Sequence, residues 1–263
     1  MPGILMPIGG AEDRRAGKSI LKKFVDICGG SDARLLVVPL ASSMPQETGS
    51  LYQHIFLSLG ANRVTILDIT TRSQANDPAV RRYLENTTGI FFSGGDQLRL
   101  LSLIGSTTLG DMIRTHYEQG VHIAGTSAGA SAMSEQMIAF GRSGMTPSQR
   151  MVQTASGLGL SKSFIIDQHF SQRKRLGRLL TAVALHPRLV GLGIDEDTSL
   201  MIHPDGCGEV IGTGCVTVVD GRQLEYSDIY AAKRYEPFTL TGVDVRRLEA
   251  GSRVTLPAYG PMP

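Results

Sequence analysis

The sequence predicts an α/β fold: a single domain over residues 1–263, with a mostly parallel central sheet flanked by helices on both faces and β-rich additions toward the C-terminal end. Three observations predict it. Short apolar runs alternate with helical patterns in repeated β-α-β order. The runs are almost continuously apolar, as strands covered on both faces must be. The chain of 263 residues is 41% hydrophobic, enough to bury a sizeable core.

The first run, GILMPI (3–8), reads as a strand ending in Gly9-Gly10. A helical segment near 17–28 leads into ARLLVVPLAS (33–42), a strand rich in branched residues. Helices around 47–59, 78–85 and 108–119 lead into the strands NRVTILDI (62–69), GIFFS (89–93) and VHIAGT (121–126). Asp96 can cap a short helix carrying Leu98, Leu101 and Ile104. ASAMSEQMIA, after VHIAGT, reads as helical, and SFIIDQHF (163–170) reads as a strand. In LGRLLTAVALH (176–186), Leu176, Leu179, Leu180 and Val183 share one helix face. RLVGLGID (188–195) is another strand, and TSLMIH, GEVIGT and CVTVVDG (198–221) are short antiparallel strands with Gly-rich turns. In the tail, FTLTGVDVRRL and SRVTLP are strand-like. Together these read as one α/β domain with a mixed sheet and β-rich C-terminal additions.

The net charge is +2, and no basic block marks a nucleic-acid or membrane surface. The start, MPGILMPIGGAEDR, lacks a basic n-region and a long apolar run, and no stretch reaches the length of a membrane span. The expectation is a soluble cytoplasmic protein. Cys28, Cys207 and Cys215 are odd in number and widely spaced, which argues against a disulfide framework. His203, Cys207 and Cys215 lack the close pairs of a zinc site, and the latter two read as small strand residues.

The chemistry-bearing stretch is GTSAGASAM (125–133), which contains G-x-S-x-G. In a chain with 31 glycines the bare pattern is weak, and its context carries the argument. Ser127 falls between a buried-strand candidate and a helical segment, where a nucleophile elbow belongs. The small neighbours suit a sharp, strained turn. The helix that follows directs positive backbone dipole toward a developing oxyanion, with the Ala128 N–H as one donor. In IFFSGGDQLRLL (90–101) a strand ends in Gly94-Gly95 at the sheet edge where ligands bind, and Gly95 can offer a second donor.

His169 follows a strand end in IDQHFSQRKRLGRL (166–179) and can point into the same crevice. Arg173, Lys174, Arg175 and Arg178 lie in or near the first turns of a helix, where they oppose its dipole and repel one another. An anion should offset them, either a substrate carboxylate or a structural acid. In LGIDEDTSL (192–200), Asp195, Glu196 or Asp197 could orient the imidazole; turn capping competes for each. The resulting order, Ser then His then acid, differs from the Ser–acid–His order of α/β-hydrolases.

GGAEDR (9–14), FFSGGDQLRL (91–100), GTSAGASAMS (125–134), DQHFSQRKRLGRL (167–179) and GIDEDTSL (193–200) together resemble, block by block and in order, the cyanophycinase branch of the aspartyl dipeptidase-like serine peptidases, family S51. The resemblance runs from about residue 4 to about 220. It implies a class I glutamine amidotransferase-like, flavodoxin-like fold and a homodimer. It places the nucleophile on Ser127, the general base on His169 and the orienting acid on Glu196. Substrate contacts fall on Gln97, Asp167, Gln168, Arg173, Arg175 and Arg178. The implied substrate is cyanophycin, poly-aspartate with an arginine joined to each β-carboxyl, cut to β-aspartyl-arginine dipeptides through an acyl-enzyme. Arginines suit bidentate grip on its carboxylates, and an acid such as Asp167 suits its guanidinium groups. No metal or organic cofactor is called for. The rivals are an aspartyl dipeptidase with the same machinery, an esterase with His203 as base, and a catalytically dead module binding acidic polymers. Nucleotide binding is disfavoured because Gly9-Gly10 lacks the G-x-G-x-x-G spacing.

Overall fold

The computed structural model describes residues 1–256. Strand β1 (Leu5–Ile8) is followed by α1 (Ser19–Ile27), β2 (Arg34–Val38), α2 (Pro45–Ser58) and β3 (Arg63–Ile66). Then come α3 (Arg72–Asn76), α4 (Arg81–Leu84), β4 (Gly89–Phe92), α5 (Gln97–Ile104), α6 (Thr108–Glu118) and β5 (His122–Thr126). Strands β3, β2, β4, β5 and β1 lie side by side in that order, each parallel to its neighbour. Alternate residues of these strands feed two cores. On β2, Leu35 and Val37 pack with Phe24 of α1 and Phe56 of α2 on one face. Leu36 and Val38 pack with Leu100 and Ile104 of α5 and Ile113 of α6 on the other. Helices therefore cover both faces of the parallel strands.

Caps follow local chemistry. Asp96 accepts hydrogen bonds from the N–H groups of Leu98 and Arg99 and starts α5 as expected. The buried face of α5 carries Leu100 and Ile104, while Leu98 is exposed. The helix expected near 78–85 is broken: a 3-10 turn at Pro78–Val80 precedes α4, and Asp77 caps that turn through the Ala79 N–H.

After β5 the fold departs from the sequence reading. Helix α7 (Ala128–Ser131) makes one turn and stops, and Gln136–Gly141 is strand β6, paired antiparallel with β7 (Val152–Ser156). The helical reading of ASAMSEQMIA is thus wrong beyond its first turn. Pairing with a strand more than ten residues downstream overrides local helix propensity there.

Strand β8 (Phe164–Gln168), α8 (Leu176–Leu185), β9 (Val190–Ile194), β10 (Thr198–Ile202), β11 (Cys207–Gly212) and β12 (Cys215–Asp220) follow. They fall into two sheets. Strands β10 and β11 extend the large sheet antiparallel beside β1. Strands β8 and β9 pair parallel in a second sheet, with β12 antiparallel beside β9. The short pair β13 (Tyr226–Ser227) and β14 (Leu240–Thr241) leads to β15 (Asp244–Glu249), which edges the second sheet. Finally β16 (Arg253–Thr255) edges the large one. Pro257, the last residue of SRVTLP, lies outside the described residues. Among the described residues, no helix is long and apolar enough to cross a membrane.

Candidate active site

The carboxyl end of β1 is the hub of the site. The Ser127 N–H donates to the Ile8 carbonyl at 2.9 Å, the His169 N–H to the Gly9 carbonyl at 2.7 Å, and the Asp197 N–H to the Gly10 carbonyl at 2.8 Å. Three separated turns are thereby held to three consecutive carbonyls. Gly10, at φ 97°, gives the imidazole its room: a β-carbon there would lie 2.4 Å from His169 Cε1.

Ser127 has φ 53° and ψ −112°, a conformation that L-residues rarely adopt, between β5 and α7. The flanking glycines let this turn pack. A β-carbon on Gly125 would sit 2.7 Å from the Gly129 carbonyl oxygen, and one on Gly129 would sit 2.5 Å from that of Phe92. His169 and Asp197 also carry positive φ, at 47° and 48°. Three of the non-glycine residues with positive φ, Ser127, His169 and Asp197, thus sit on the turns that meet at the end of β1.

Ser127 Oγ lies 2.9 Å from His169 Nε2, and His169 Nδ1 lies 2.5 Å from Glu196 Oε1. The carboxylate at Nδ1 holds the proton there and leaves Nε2 to accept from the hydroxyl. Burial lowers the His169 pKa below its ordinary 6.5, the Glu196 hydrogen bond opposes that shift, and the nearby charge of Arg173 adds to it. The ring is accordingly neutral near pH 7, the form in which it can take a proton.

Of Asp195, Glu196 and Asp197, among the described residues only Glu196 bonds the imidazole. Asp195 accepts from the Ser171 N–H and hydroxyl at 3.0 and 2.6 Å. Asp197 accepts from the Asp13 N–H at 2.8 Å and the Thr213 hydroxyl at 2.9 Å. Gln172 Oε1 accepts from the Glu196 N–H at 3.0 Å and steadies the acid's backbone.

The N–H groups of Gly95 and Ala128 donate to no other group among the described residues. Gly95, at φ 141°, belongs to the loop whose Gly94 flanks Ser127; a β-carbon on Gly94 would be 3.4 Å from that of Ser127. Gly95 itself is pressed against the Ala41 carbonyl, where a side chain would have no space.

The expected substrate contacts divide. Gln168 Oε1 lies 3.5 Å from Ser127 Oγ and 3.1 Å from an Arg175 nitrogen, so it borders the nucleophile. Arg173 is exposed and, among the described residues, unpaired. Asp167 and Arg178 are not surface contacts. Asp167 is fully buried, and its carboxylate receives a two-point bond from Arg178, with Arg175 at 3.4 Å. A structural acid, Asp167, offsets Arg175 and Arg178. Arg175 is buried, with its pKa pushed down to about 10, chiefly by burial. Its Nε has no partner among the described residues. Gln97 donates from its amide to the carbonyls of Ile138 and Ala139 at 3.0 and 2.5 Å, tying α5 to β6.

The esterase alternative fails on position. His203 influences His122, at the start of β5, whereas Ser127 follows the end of that strand. Sequence reasoning missed the role of Gly9-Gly10 as hub. It also missed Glu12, which accepts hydrogen bonds from the Tyr52 and Thr126 hydroxyls. A double glycine directly after a buried strand was the available signal for the first.

A family model described as Peptidase family S51 matches residues 4–210. The chain belongs to peptidase family S51. This S51 peptidase is 41% identical to a cyanophycinase from Geminocystis herdmanii over 98% of this chain and 95% of that one. It is 43% identical to a cyanophycinase from Trichormus variabilis over 96% of this chain and 85% of that one. Among solved structures it resembles a peptidase from an acI-B1 Actinobacterium, with a TM-score of 0.69 at 21% identity over 97% of this chain and 98% of that one. That likeness is one of fold alone: α/β, with a large, mostly parallel central sheet and helices.

Proposed function

We propose that this S51 peptidase is a serine-type exopeptidase that hydrolyses cyanophycin to β-aspartyl-arginine dipeptides. The observation that carries the reading is the Ser127–His169–Glu196 line at 2.9 and 2.5 Å, in a chain 41% identical to a cyanophycinase over nearly its full length. His169 Nε2 takes the proton of Ser127 as Oγ attacks the backbone carbonyl carbon. The N–H groups of Gly95 and Ala128 receive the oxyanion. The proton passes from Nε2 to the leaving amine, and water then releases the acyl group. Gln168 and Arg173 border the bound chain, while Asp167 and Arg178 fix Arg175 from behind.

The doubly covered parallel strands support a class I glutamine amidotransferase-like, flavodoxin-like arrangement, with β13–β16 as additions to it. By resemblance we also infer a homodimer acting in the cytoplasm, which sedimentation and cell fractionation would test. For the activity itself, purified cyanophycin is incubated with wild type and Ser127→Ala, beside aspartyl dipeptides. Release of β-aspartyl-arginine by wild type alone is expected. Cleavage of the dipeptides without the polymer would assign the aspartyl dipeptidase activity instead.

A further inference from the structure

A polar cleft of about 210 Å³ adjoins Ser127. Its walls include Glu12, Arg14, Thr48, Tyr52 and Thr126. Glu12 is 4% exposed, and no described cation pairs with it. A buried carboxylate without a counter-cation is costly and rare in folded proteins. Two neutral donors hold it in place: the Tyr52 hydroxyl on Oε1 and the Thr126 hydroxyl on Oε2. Each oxygen keeps a further lone pair for a ligand. The frame is rigid. The Tyr52 ring packs 4.5 Å from Phe91 and 6.1 Å from Phe56, and Thr126 is the last residue of β5, directly before the nucleophile. The cleft also carries Arg14, an exposed side chain that acts on Tyr52.

We propose that Glu12 is the receptor for a substrate guanidinium, and that Arg14 at the rim receives the carboxylate of the same arginine unit. The inference rests on the substrate reading above and names the part of the site that would distinguish arginine from other side groups. An arginine joined through its α-amino group presents one guanidinium and one carboxylate. The cleft presents one buried carboxylate and one exposed guanidinium. The planar fork of a guanidinium suits a carboxylate oriented by two hydroxyls, and the cleft is roomier than a simple ammonium group requires.

Two measurements test it. The first compares kcat/KM on the arginine-bearing polymer with kcat/KM on the same polymer carrying citrulline, the neutral isostere. Wild type should favour arginine by about 10- to 100-fold, the range expected for a hydrogen bond to a charged group. Glu12→Gln should bring that ratio near one. If Glu12→Gln slows both polymers equally and keeps the ratio, Glu12 only supports the turn and the proposal is overturned. Should Glu12→Gln fail to fold, Thr48→Leu, which fills the cleft and leaves the carboxylate in place, must reduce the ratio in the same way.

The second measurement needs no polymer. Methylguanidinium should slow fluorophosphonate labelling of Ser127 in wild type and not in Glu12→Gln. Lack of protection in wild type, or protection by methylammonium in preference to methylguanidinium, overturns the assignment. A wild type that cuts no cyanophycin yet is protected by methylguanidinium refutes the substrate reading and leaves the guanidinium site standing.

Discussion

Residues 167 to 178 supply two regions that use charge in opposite ways. On the side of the crevice, His169 is buried in a strained turn, with an acid on one nitrogen and a hydroxyl on the other. Two residues earlier, Asp167 is fully buried and saturated by Arg178, with Arg175 beside it. The first region is poised to change protonation and the second is locked. The difference shows that a motif dense in charged residues is not a list of ligand contacts. Part of it builds the wall that holds the rest.

The comparison can be broken at several points. Ser127→Ala should lower kcat by about 10⁴- to 10⁶-fold, measured as dipeptide release, with an unchanged melting temperature. A variant that keeps its activity would remove the crevice from the chemistry. Glu196→Gln should cost about 10²- to 10⁴-fold in kcat, because the imidazole loses the partner that fixes its tautomer and steadies its charged form. A smaller loss than in Asp195→Asn would move the orienting role.

On the locked side the readout is stability. Asp167→Ala strands the buried Arg178 and should cost about 3–5 kcal/mol in urea unfolding. A loss under 1 kcal/mol would mean that the pair is solvated and available to ligands after all. Gly10→Ala joins the two kinds of effect: its β-carbon meets His169 Cε1 at 2.4 Å, so the ring must move. A displacement of that order costs about 10²-fold in kcat, and an alanine at φ 97° should also cost about 1–3 kcal/mol of stability in urea unfolding. The smallest expected effect is on pH dependence. The charge of Arg173 holds the His169 pKa down, so Arg173→Ala should move the acid limb of kcat/KM to higher pH. A limb that stays in place, or moves lower, would take Arg173 out of the electrostatics of the base.

Much of the sheet was legible because its strands are buried on both faces, so their apolar runs stand out without regard to partners. The β6–β7 hairpin was not legible. Gln136 to Ala139 is compatible with a helix, and only pairing with Val152–Ser156 makes it part of a strand. Nor could the sequence show that β12 leaves β10 and β11 for a second sheet, since all three have similar patterns. At the site, Ser127 was readable from its strand–turn–helix setting and His169 from its strand end. The choice among Asp195, Glu196 and Asp197 was not, because three adjacent acids differ only in direction, and direction is set by the backbone bond from Asp197 to Gly10. The pairing of Asp167 with Arg178 was not legible either, because strand residues alternate between faces and the sequence does not say which face Arg178 will reach from α8.

The central claim is that His169 activates Ser127. It is tested most directly by the rate of fluorophosphonate labelling at Ser127 as a function of pH. The expected profile rises through a single ionisation with a midpoint below 6.5, is nearly flat near pH 7, and is lost in His169→Ala. Labelling that shows no dependence on pH across this range, or that proceeds undiminished without the imidazole, would contradict it.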